Sequence, residues 1–190
     1  MQNIRAITMN IILAITGASG AIYARQSLEL LLGARDVERI ALILSENAEG
    51  VIAHEGITLP DDSRIERFAN NDMWSSVASG SAQWDAMIVV PASMGTVGRI
   101  ASGVSQSLIE RAADVMLKER RRLVLVVREA PYSLIHLRNM TTITEAGGII
   151  IPASPSFYFN PQDIESLAAT ISTRAIEMLG IKVDHKHWGE

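Results

Sequence analysis

Cysteine is absent from this chain of 190 residues. Disulfide bonds, a catalytic thiolate and a metal site built from cysteine are therefore excluded. Long apolar runs are also absent. The longest, such as Ile11–Ile15, have about five residues, whereas a membrane-spanning helix needs about 20. We therefore expect neither a membrane span nor a signal peptide, since the first apolar run is too short for one.

An excess of positive charge is lacking too. The formal net charge is −4, which gives no sign of the basic face typical of nucleic-acid binding. Apolar residues make up 48% of the chain and charged residues 20%, the balance of a globular protein. The length suits one domain over residues 1–190, in which residues 1–8 can form an extension before the first strand. The cytoplasm is the expected location.

Short apolar runs alternate with amphipathic stretches, a pattern typical of a parallel sheet covered by helices. The predicted strands are Asn10–Thr16, Ile40–Leu44, Ala86–Val90, Leu123–Val127 and Ile149–Ile151. The predicted helices are Ala21–Leu32, Glu46–His54, Leu108–Arg120, Ser133–Ala146 and Pro161–Leu179. The segment Pro60–Gln83 is turn-rich, and we expect it to be irregular or partly helical. The prediction is a Rossmann-like, three-layer α/β/α fold with a mostly parallel, doubly wound sheet.

The first strand ends in the sequence T-G-A-S-G-A, Thr16–Ala21, which leads directly into a helix. Glycines allow a tight turn, and the free N–H groups at a helix start suit a phosphate. A strand-to-helix turn without a ligand explains this segment equally well. A dinucleotide fingerprint would require G-x-G-x-x-G, but Tyr23 stands at the third glycine position. A mononucleotide therefore fits better than NAD.

A second loop, Pro91–Thr96, follows the Ala86–Val90 strand and carries the hydroxyls of Ser93 and Thr96. Helix capping alone would explain such residues. Two hydroxyl-rich loops at strand ends, however, favour a polar or anionic ligand, because open α/β sheets bind ligands at the carboxyl ends of their strands.

Arg128 and Glu129 follow the apolar strand Leu123–Val127 directly. At the same sheet edge, an arginine can bind a phosphate through two hydrogen bonds, and a carboxyl group beside it can act as acid or base. A solvated surface ion pair is the alternative. A further loop, Pro152–Pro161, holds three of the few aromatic residues, and the hydroxyl of its Tyr158 can be directed toward an anion.

Several long motifs together resemble the flavin prenyltransferases, the UbiX/Pad family formerly described as aromatic-acid decarboxylases. The resemblance runs from about Met9 to Trp188. Its motifs, in order, are T-G-A-S-G-A-x-Y, S-x-x-T, L-I-E-R-A-A-D-V-x-L-K-E-R-R, V-R-E-A-P-x-S-x-I-H-L-x-N-M and P-x-x-P-x-F-Y.

The resemblance implies an enzyme that attaches a dimethylallyl group to N5 and C6 of reduced FMN, with dimethylallyl phosphate as donor and no metal. It also implies that ten residues contact the FMN. Arg111 would stabilise negative charge on the reduced ring. The flavin-binding positions are Gly17, Ala18, Ser19, Ser45, Ser93, Met94, Gly95, Thr96, Arg111 and Arg128.

The resemblance also assigns the donor side. The phosphate would be held by Lys118, Arg128, Tyr158 and Arg174. Trp74 and Trp188 would line the prenyl pocket, where an aromatic face can stabilise an allylic cation. Catalytic roles fall to Glu129 as an acid at the leaving phosphate, to Glu55 as a proton acceptor, and to Ser19 beside them.

The family further implies a homo-oligomer, commonly a dodecamer, with the site between subunits. Its product would serve a UbiD-type decarboxylase, as in ubiquinone biosynthesis. Neither nucleic acid nor a membrane is an expected partner.

Three other functions are alternatives to flavin prenyl transfer, and each can be compared with the residues of the chain. A peptidyl-cysteine or phosphopantothenoyl-cysteine decarboxylase shares the fold, but carries an Asn in the loop where Ser93–Thr96 reads S-M-G-T. A flavin carrier would need the flavin loops but not Lys118, Glu129 and Arg174 together. A short-chain dehydrogenase would need a Tyr-x-x-x-Lys pair, and no tyrosine of the chain is followed by Lys at that spacing.

Overall fold

Six parallel strands form one sheet in the order β3-β2-β1-β4-β5-β6. The structure is a computed structural model and describes residues 8–184. Trp188 and, apart from Thr8, the extension predicted at residues 1–8 lie outside the described residues. The strands are β1 Met9–Ile15, β2 Val37–Leu44, β3 Ile65–Ala69, β4 Ala86–Ala92, β5 Arg122–Val127 and β6 Ile149–Pro152.

Helices cover both faces of this sheet. They are α1 Ala21–Gly33, α2 Ala48–His54, α3 Met94–Ala101, α4 Leu108–Lys118, α5 Leu134–Glu145 and α6 Ile164–Met178, with a 3₁₀ turn at Ser76–Ala78. The helix α6 begins at Ile164 rather than at the predicted Pro161, because Asp163 accepts a hydrogen bond from the Ser166 N–H and caps it. The predicted Rossmann-like α/β/α architecture is confirmed, and the sheet is parallel throughout the described chain.

The core lies in two layers because successive residues of a strand point to opposite faces of the sheet. Ile12 and Ala14 of β1 pack with α3, α4 and α5, whereas Ile11 and Leu13 pack with α1 and α6. Every residue from Ile11 to Ile15 is buried. This explains why the strand reads as a continuous apolar run rather than an alternating one.

Two elements were not predicted. The strand β3 lies in the segment Pro60–Gln83, and its sequence I-E-R-F-A is only partly buried at the edge of the sheet. The helix α3 contains Gly95 and Gly98, which weaken the helical pattern. Within residues 8–184, no helix has the length and apolar character needed to cross a membrane.

The order of the strands reverses at β1, which pairs with β2 on one side and with β4 on the other. Connections therefore leave the carboxyl ends of β1 and β4 in opposite directions, and a crevice opens between them. This is the place where open α/β sheets bind their ligands.

Candidate active site

A single hydroxyl joins the loops that follow β1 and β4. Thr16 Oγ1 donates to the Pro91 carbonyl at 2.7 Å and accepts the Ser93 N–H at 2.8 Å. Thr16 is itself buried. The two loops predicted from the sequence therefore lie side by side at the crevice, as the strand order requires.

Two glycines of the first loop are required by geometry. A Cβ at Gly17 would stand 2.7 Å from the Cβ of Asn47, so any side chain would push α2 away. Gly20 precedes α1 with φ of +111°, a conformation that side-chain-bearing residues rarely adopt. Gly17 is itself exposed, so a ligand can approach the loop backbone there on the side away from Asn47.

The start of α1 is occupied by a carboxylate from the chain itself. Glu55, which follows α2, accepts the Gly20 N–H at 2.9 Å and the Ala21 N–H at 2.7 Å. The expectation that these N–H groups are free for a phosphate was therefore wrong. A negative side chain near the positive end of a helix stabilises it in the same way as a bound anion.

The environment of Glu55 favours its charged form. Burial is the largest single influence and raises its pKa. The combined effect of hydrogen bonds from the Ser19 side chain and from the Gly20 and Ala21 backbone, with the charge of Arg128, exceeds that of burial. The pKa of Glu55 consequently lies below its ordinary value of 4.5. Ser19 and Arg128, two further predicted site residues, therefore both act on Glu55 at the crevice.

Arg128 and Glu129 lie where β5 ends, next to β4. The Arg128 N–H donates to the Ala92 carbonyl at 3.2 Å. The Arg128 Nε atom is buried and makes no hydrogen bond within the described chain, an arrangement that usually indicates a missing ligand. The half-buried Glu129 carboxylate accepts the adjacent Ala130 N–H at 3.0 Å.

The Ser93–Thr96 loop divides into accessible and internal positions. Ser93 caps α3 by accepting the Thr96 N–H, and its hydroxyl lies 3.1 Å from that of Thr96. Thr96 and Met94 are buried, whereas Gly95 is exposed and Ser93 half-buried. Ser93 and Gly95 are therefore better placed than Thr96 to touch a ligand directly.

A cavity of about 620 Å³ opens beside the carboxyl ends of β2 and β3. Ser45, predicted as a flavin contact, lines it, and its N–H donates to the Ile15 carbonyl at 2.9 Å. Several polar residues of its wall are not predicted from the sequence, because β3 is not recognisable there and its end cannot be placed beside β2. These residues are Asn70, Asn71, Gln106 and Ser107.

Tyr158 and Arg174 share a second cavity, of about 610 Å³, between the loop after β6 and α6. Arg174 pairs with Glu177 at 3.2 Å, and Tyr158 is 75% exposed. The loop begins next to β5, because the Ala153 N–H donates to the Val127 carbonyl at 2.8 Å. The loop that forms one wall of this cavity therefore starts close to Arg128.

Lys118 lies near the amino ends of the strands, on the side of the sheet opposite to the crevice. It is the last residue of α4, pairs with Glu119, and borders Gly80, shortly before β4 begins. Arg128 follows the far end of β5, a strand of six residues. At about 3.3 Å per residue, the amino and carboxyl ends of this strand are roughly 17–20 Å apart. One chain therefore does not bring Lys118 to Arg128.

Within residues 8–184, the hydrogen bonds of Arg111 and the exposure of Trp74 likewise give no link to the crevice. The Arg111 Nε donates to the Ala78 carbonyl at 3.1 Å, and its Nη1 pairs with Asp114 at 2.6 Å. Trp74 is 98% exposed. No group of three or more His, Asp or Glu side chains placed to hold a metal ion occurs between Thr8 and Asp184.

The flavoprotein family model matches residues 4–177. The flavin prenyltransferase UbiX of Methanocaldococcus jannaschii is 40% identical over 185 residues, which cover 95% of this chain and 99% of the relative.

Two crystal structures share the fold over nearly the whole chain. The structure of AnUbiX (PadA1) with FMN and dimethylallyl pyrophosphate has a TM-score of 0.85 at 40% identity and covers 95% of this chain and 99% of that one. A dodecameric FMN-dependent UbiX-like decarboxylase from Escherichia coli O157:H7 has a TM-score of 0.88 at 33% identity, covering 96% of this chain and 100% of that one. This chain belongs to the flavin prenyltransferases, a family of transferases.

Proposed function

We propose that this protein transfers the dimethylallyl group of dimethylallyl phosphate to N5 and C6 of reduced FMN, without a metal ion. The observation that carries the proposal is that Ser19 and Arg128 both act on Glu55 at the crevice, where the order of the strands reverses. Support also comes from the AnUbiX relative, whose crystal structure contains FMN and dimethylallyl pyrophosphate.

The first loop fits a flavin because Gly17 leaves its backbone uncovered. We assign the FMN contacts to the Gly17–Ser19 backbone and side chains, to Ser45, and to the Ser93–Thr96 loop, in which Ser93 and Gly95 are accessible. The buried and unpartnered Nε of Arg128 suits an acceptor atom of the flavin or of the donor phosphate. When bound, reduced FMN supplies the electron-rich ring that attacks the prenyl group.

Ionisation of the donor requires that the departing phosphate be neutralised. We assign this to Arg128, which can form two parallel hydrogen bonds to phosphate oxygens, and to Tyr158 and Arg174, which line one cavity. Lys118 would add a fourth contact from a neighbouring chain. Glu129 is assigned as the acid that gives a proton to the leaving phosphate.

Glu55 is proposed as the acceptor of the proton that leaves the flavin ring. Its lowered pKa keeps it ionised at neutral pH, so it can accept a proton. The hydrogen bonds from Gly20 and Ala21 also fix the direction of its carboxylate.

We further propose that the active form is an oligomer, and a dodecamer in particular, as in the E. coli relative. Large apolar side chains are exposed on and around α5, which suits burial against another copy. These are Tyr132, Leu134, Ile135 and Leu137. Such contacts would also allow Lys118, Trp74 and Arg111 to complete a neighbour's site. Residue Trp188, assigned to the same pocket, lies outside the described residues.

The product, prenylated FMN, would serve as cofactor for a UbiD-type decarboxylase. Mass spectrometry of the flavin extracted after incubation with reduced FMN and dimethylallyl phosphate tests the reaction. We expect a flavin heavier by one dimethylallyl-derived unit, with release of phosphate, and the same yield after treatment with a chelator. Parallel incubation with dimethylallyl pyrophosphate identifies the preferred donor. Unchanged FMN, with both ligands bound, would contradict the proposal and favour a flavin carrier.

A further inference from the structure

A chain of polar contacts connects the start of α4 to the crevice. Glu110 is only 3% exposed and accepts the N–H groups of Gln106 and Ser107, each at 3.0 Å. Its second oxygen pairs with Arg99 Nε. The buried carboxylate is therefore fully occupied, and it fixes the base of the Arg99 guanidinium.

The other end of this guanidinium reaches the Ser93–Thr96 loop. Arg99 Nη2 donates to Thr96 Oγ1 at 3.3 Å, and Thr96 Oγ1 lies 3.1 Å from Ser93 Oγ. Ser93 Oγ also receives the Thr96 N–H. The Ser93 backbone is in turn bound to Thr16. Arg99 itself lies on α3, outside the residues assigned to flavin contact.

These contacts limit where the hydroxyl protons can point. Arginine can only donate, so Thr96 Oγ1 accepts from Arg99, and of the two directions that the 3.1 Å contact allows we assign the Thr96 proton to Ser93 Oγ. With this assignment Ser93 Oγ accepts two hydrogen bonds, from the Thr96 hydroxyl and, at 3.5 Å, from the Thr96 N–H. Its own proton is then free to point to a ligand in the crevice. A serine held in this way presents a preorganised donor to a ligand.

We propose that Arg99, anchored by Glu110, is a positioning residue that orients the Ser93 hydroxyl as a hydrogen-bond donor to the bound flavin. This inference rests on the proposed function, because it assumes that Ser93 contacts FMN. Arg99 acts through Thr96 and does not itself need to touch the ligand.

The test is the dissociation constant of FMN, measured by fluorescence titration of the full-length protein. One hydrogen bond contributes about 0.5–1.5 kcal/mol, so Arg99→Met should raise this constant by about two- to thirteenfold. Arg99→Lys should raise it similarly while preserving the melting temperature. The ammonium of Arg99→Lys can pair with Glu110, but it cannot at the same time donate a hydrogen bond to Thr96, as the forked guanidinium does.

Arg39→Met is the matched control. Arg39 pairs with Glu66 at 2.7 Å, and its side chain is 44% exposed against 47% for Arg99. It lies near the start of β2, away from the crevice, so the FMN constant should stay within about twofold. A lower melting temperature in this variant without weaker FMN binding would support the distinction between stability and positioning.

A double-mutant cycle with Thr96→Val tests whether Arg99 acts on FMN binding through the Thr96 hydroxyl. If Arg99 acts through the hydroxyl, Arg99→Met has no further effect on FMN affinity in the Thr96→Val protein. Additive effects would overturn the inference, because Arg99 would then act independently of the Thr96 hydroxyl, and full affinity in Arg99→Lys would overturn it too. Unchanged affinity in Arg99→Met would also overturn it. Failure of the unaltered protein to bind FMN would instead overturn the proposed function.

Discussion

Residues around Thr16 and residues around Lys118 are held by the folded chain in different ways. Within one chain, Thr16 is hydrogen-bonded to Pro91 and Gly20 to Glu55, which holds the loops of the crevice together. Lys118 lies at the opposite edge of the sheet, and Trp74 is almost fully exposed. We therefore expect one chain to build the proposed flavin side except for Arg111, whereas the proposed donor side would take Lys118 and Trp74 from a second chain.

This difference has a physical basis. The flavin loops follow from the reversal of strand order, which any doubly wound sheet creates at its carboxyl edge. A small phosphate ester needs several cations around one anion, and a single sheet edge supplies few of them. Oligomer contacts can bring cations from remote elements to that edge. Four experiments test this comparison, from the largest expected effect to the smallest.

Glu129→Gln should impair the donor side and leave the flavin side intact. An amide cannot give a proton to the leaving phosphate, so we expect prenyl transfer to slow by about 100-fold or more. FMN affinity, measured by fluorescence titration, should stay unchanged. Glu29→Gln, which alters a surface carboxylate paired with Arg25 on α1, is the control and should keep full activity. Full activity in Glu129→Gln would remove its role as the acid.

Mixed assemblies test whether the donor site crosses a subunit boundary. Lys118→Met and Arg128→Met should each reduce prenyl transfer by tenfold or more when present in every chain, because the phosphate loses a cation. If the two residues come from different chains, random mixing gives about a quarter of the sites both native residues. Activity should then recover to roughly that fraction. No recovery in mixed assemblies would place both residues in one chain.

Gly17→Ala should disturb the flavin side alone. Its new Cβ would meet Asn47, and we expect a loss of about 1–3 kcal/mol in the free energy of unfolding together with weaker FMN binding. Gly33→Ala at the end of α1 is the control, because no atom lies within 4 Å of the added carbon. Urea denaturation measures both variants. Equal stability of the two would show that the contact with Asn47 relaxes freely.

The smallest effect concerns the dependence of stability on pH. The pKa of Glu55 is lowered in the folded state, so its contribution is present above the ordinary value of 4.5 and is lost as the pH falls through the folded-state value. The unaltered protein should therefore lose more stability below pH 4.5 than Glu55→Gln does. Denaturation midpoints measured at neutral and acidic pH check this, and parallel curves would contradict it.

Much of the fold was predictable because its signals are local. The apolar run Ile11–Ile15 and the T-G-A-S-G-A turn placed the first strand and helix correctly. The edge strand β3 escaped because its charged residues Glu66 and Arg67 interrupt the pattern of a buried strand. The missing strand in turn concealed the polar wall that begins at Asn70.

The site could be predicted only in part from the residues themselves. Arg128 and Glu129 were recognisable at a strand end, and the structure puts them there. Glu55 has no local signal, since its partners lie 34 and 35 residues earlier in the chain. Lys118 and Trp74 came from family resemblance alone, because a pattern of charges along a helix does not reveal which chain will lie against it.

The contact between Thr16 and Pro91 also has a consequence for folding. It joins residues 75 positions apart, and bringing distant segments together is entropically costly and slow. We expect the two halves of the sheet to form before they meet at β1 and β4, so the crevice would be among the last parts to mature. A flavin bound to the loops after both β1 and β4 would stabilise the state in which the two halves of the sheet have met, because it binds only that state. It would therefore promote the last step of folding.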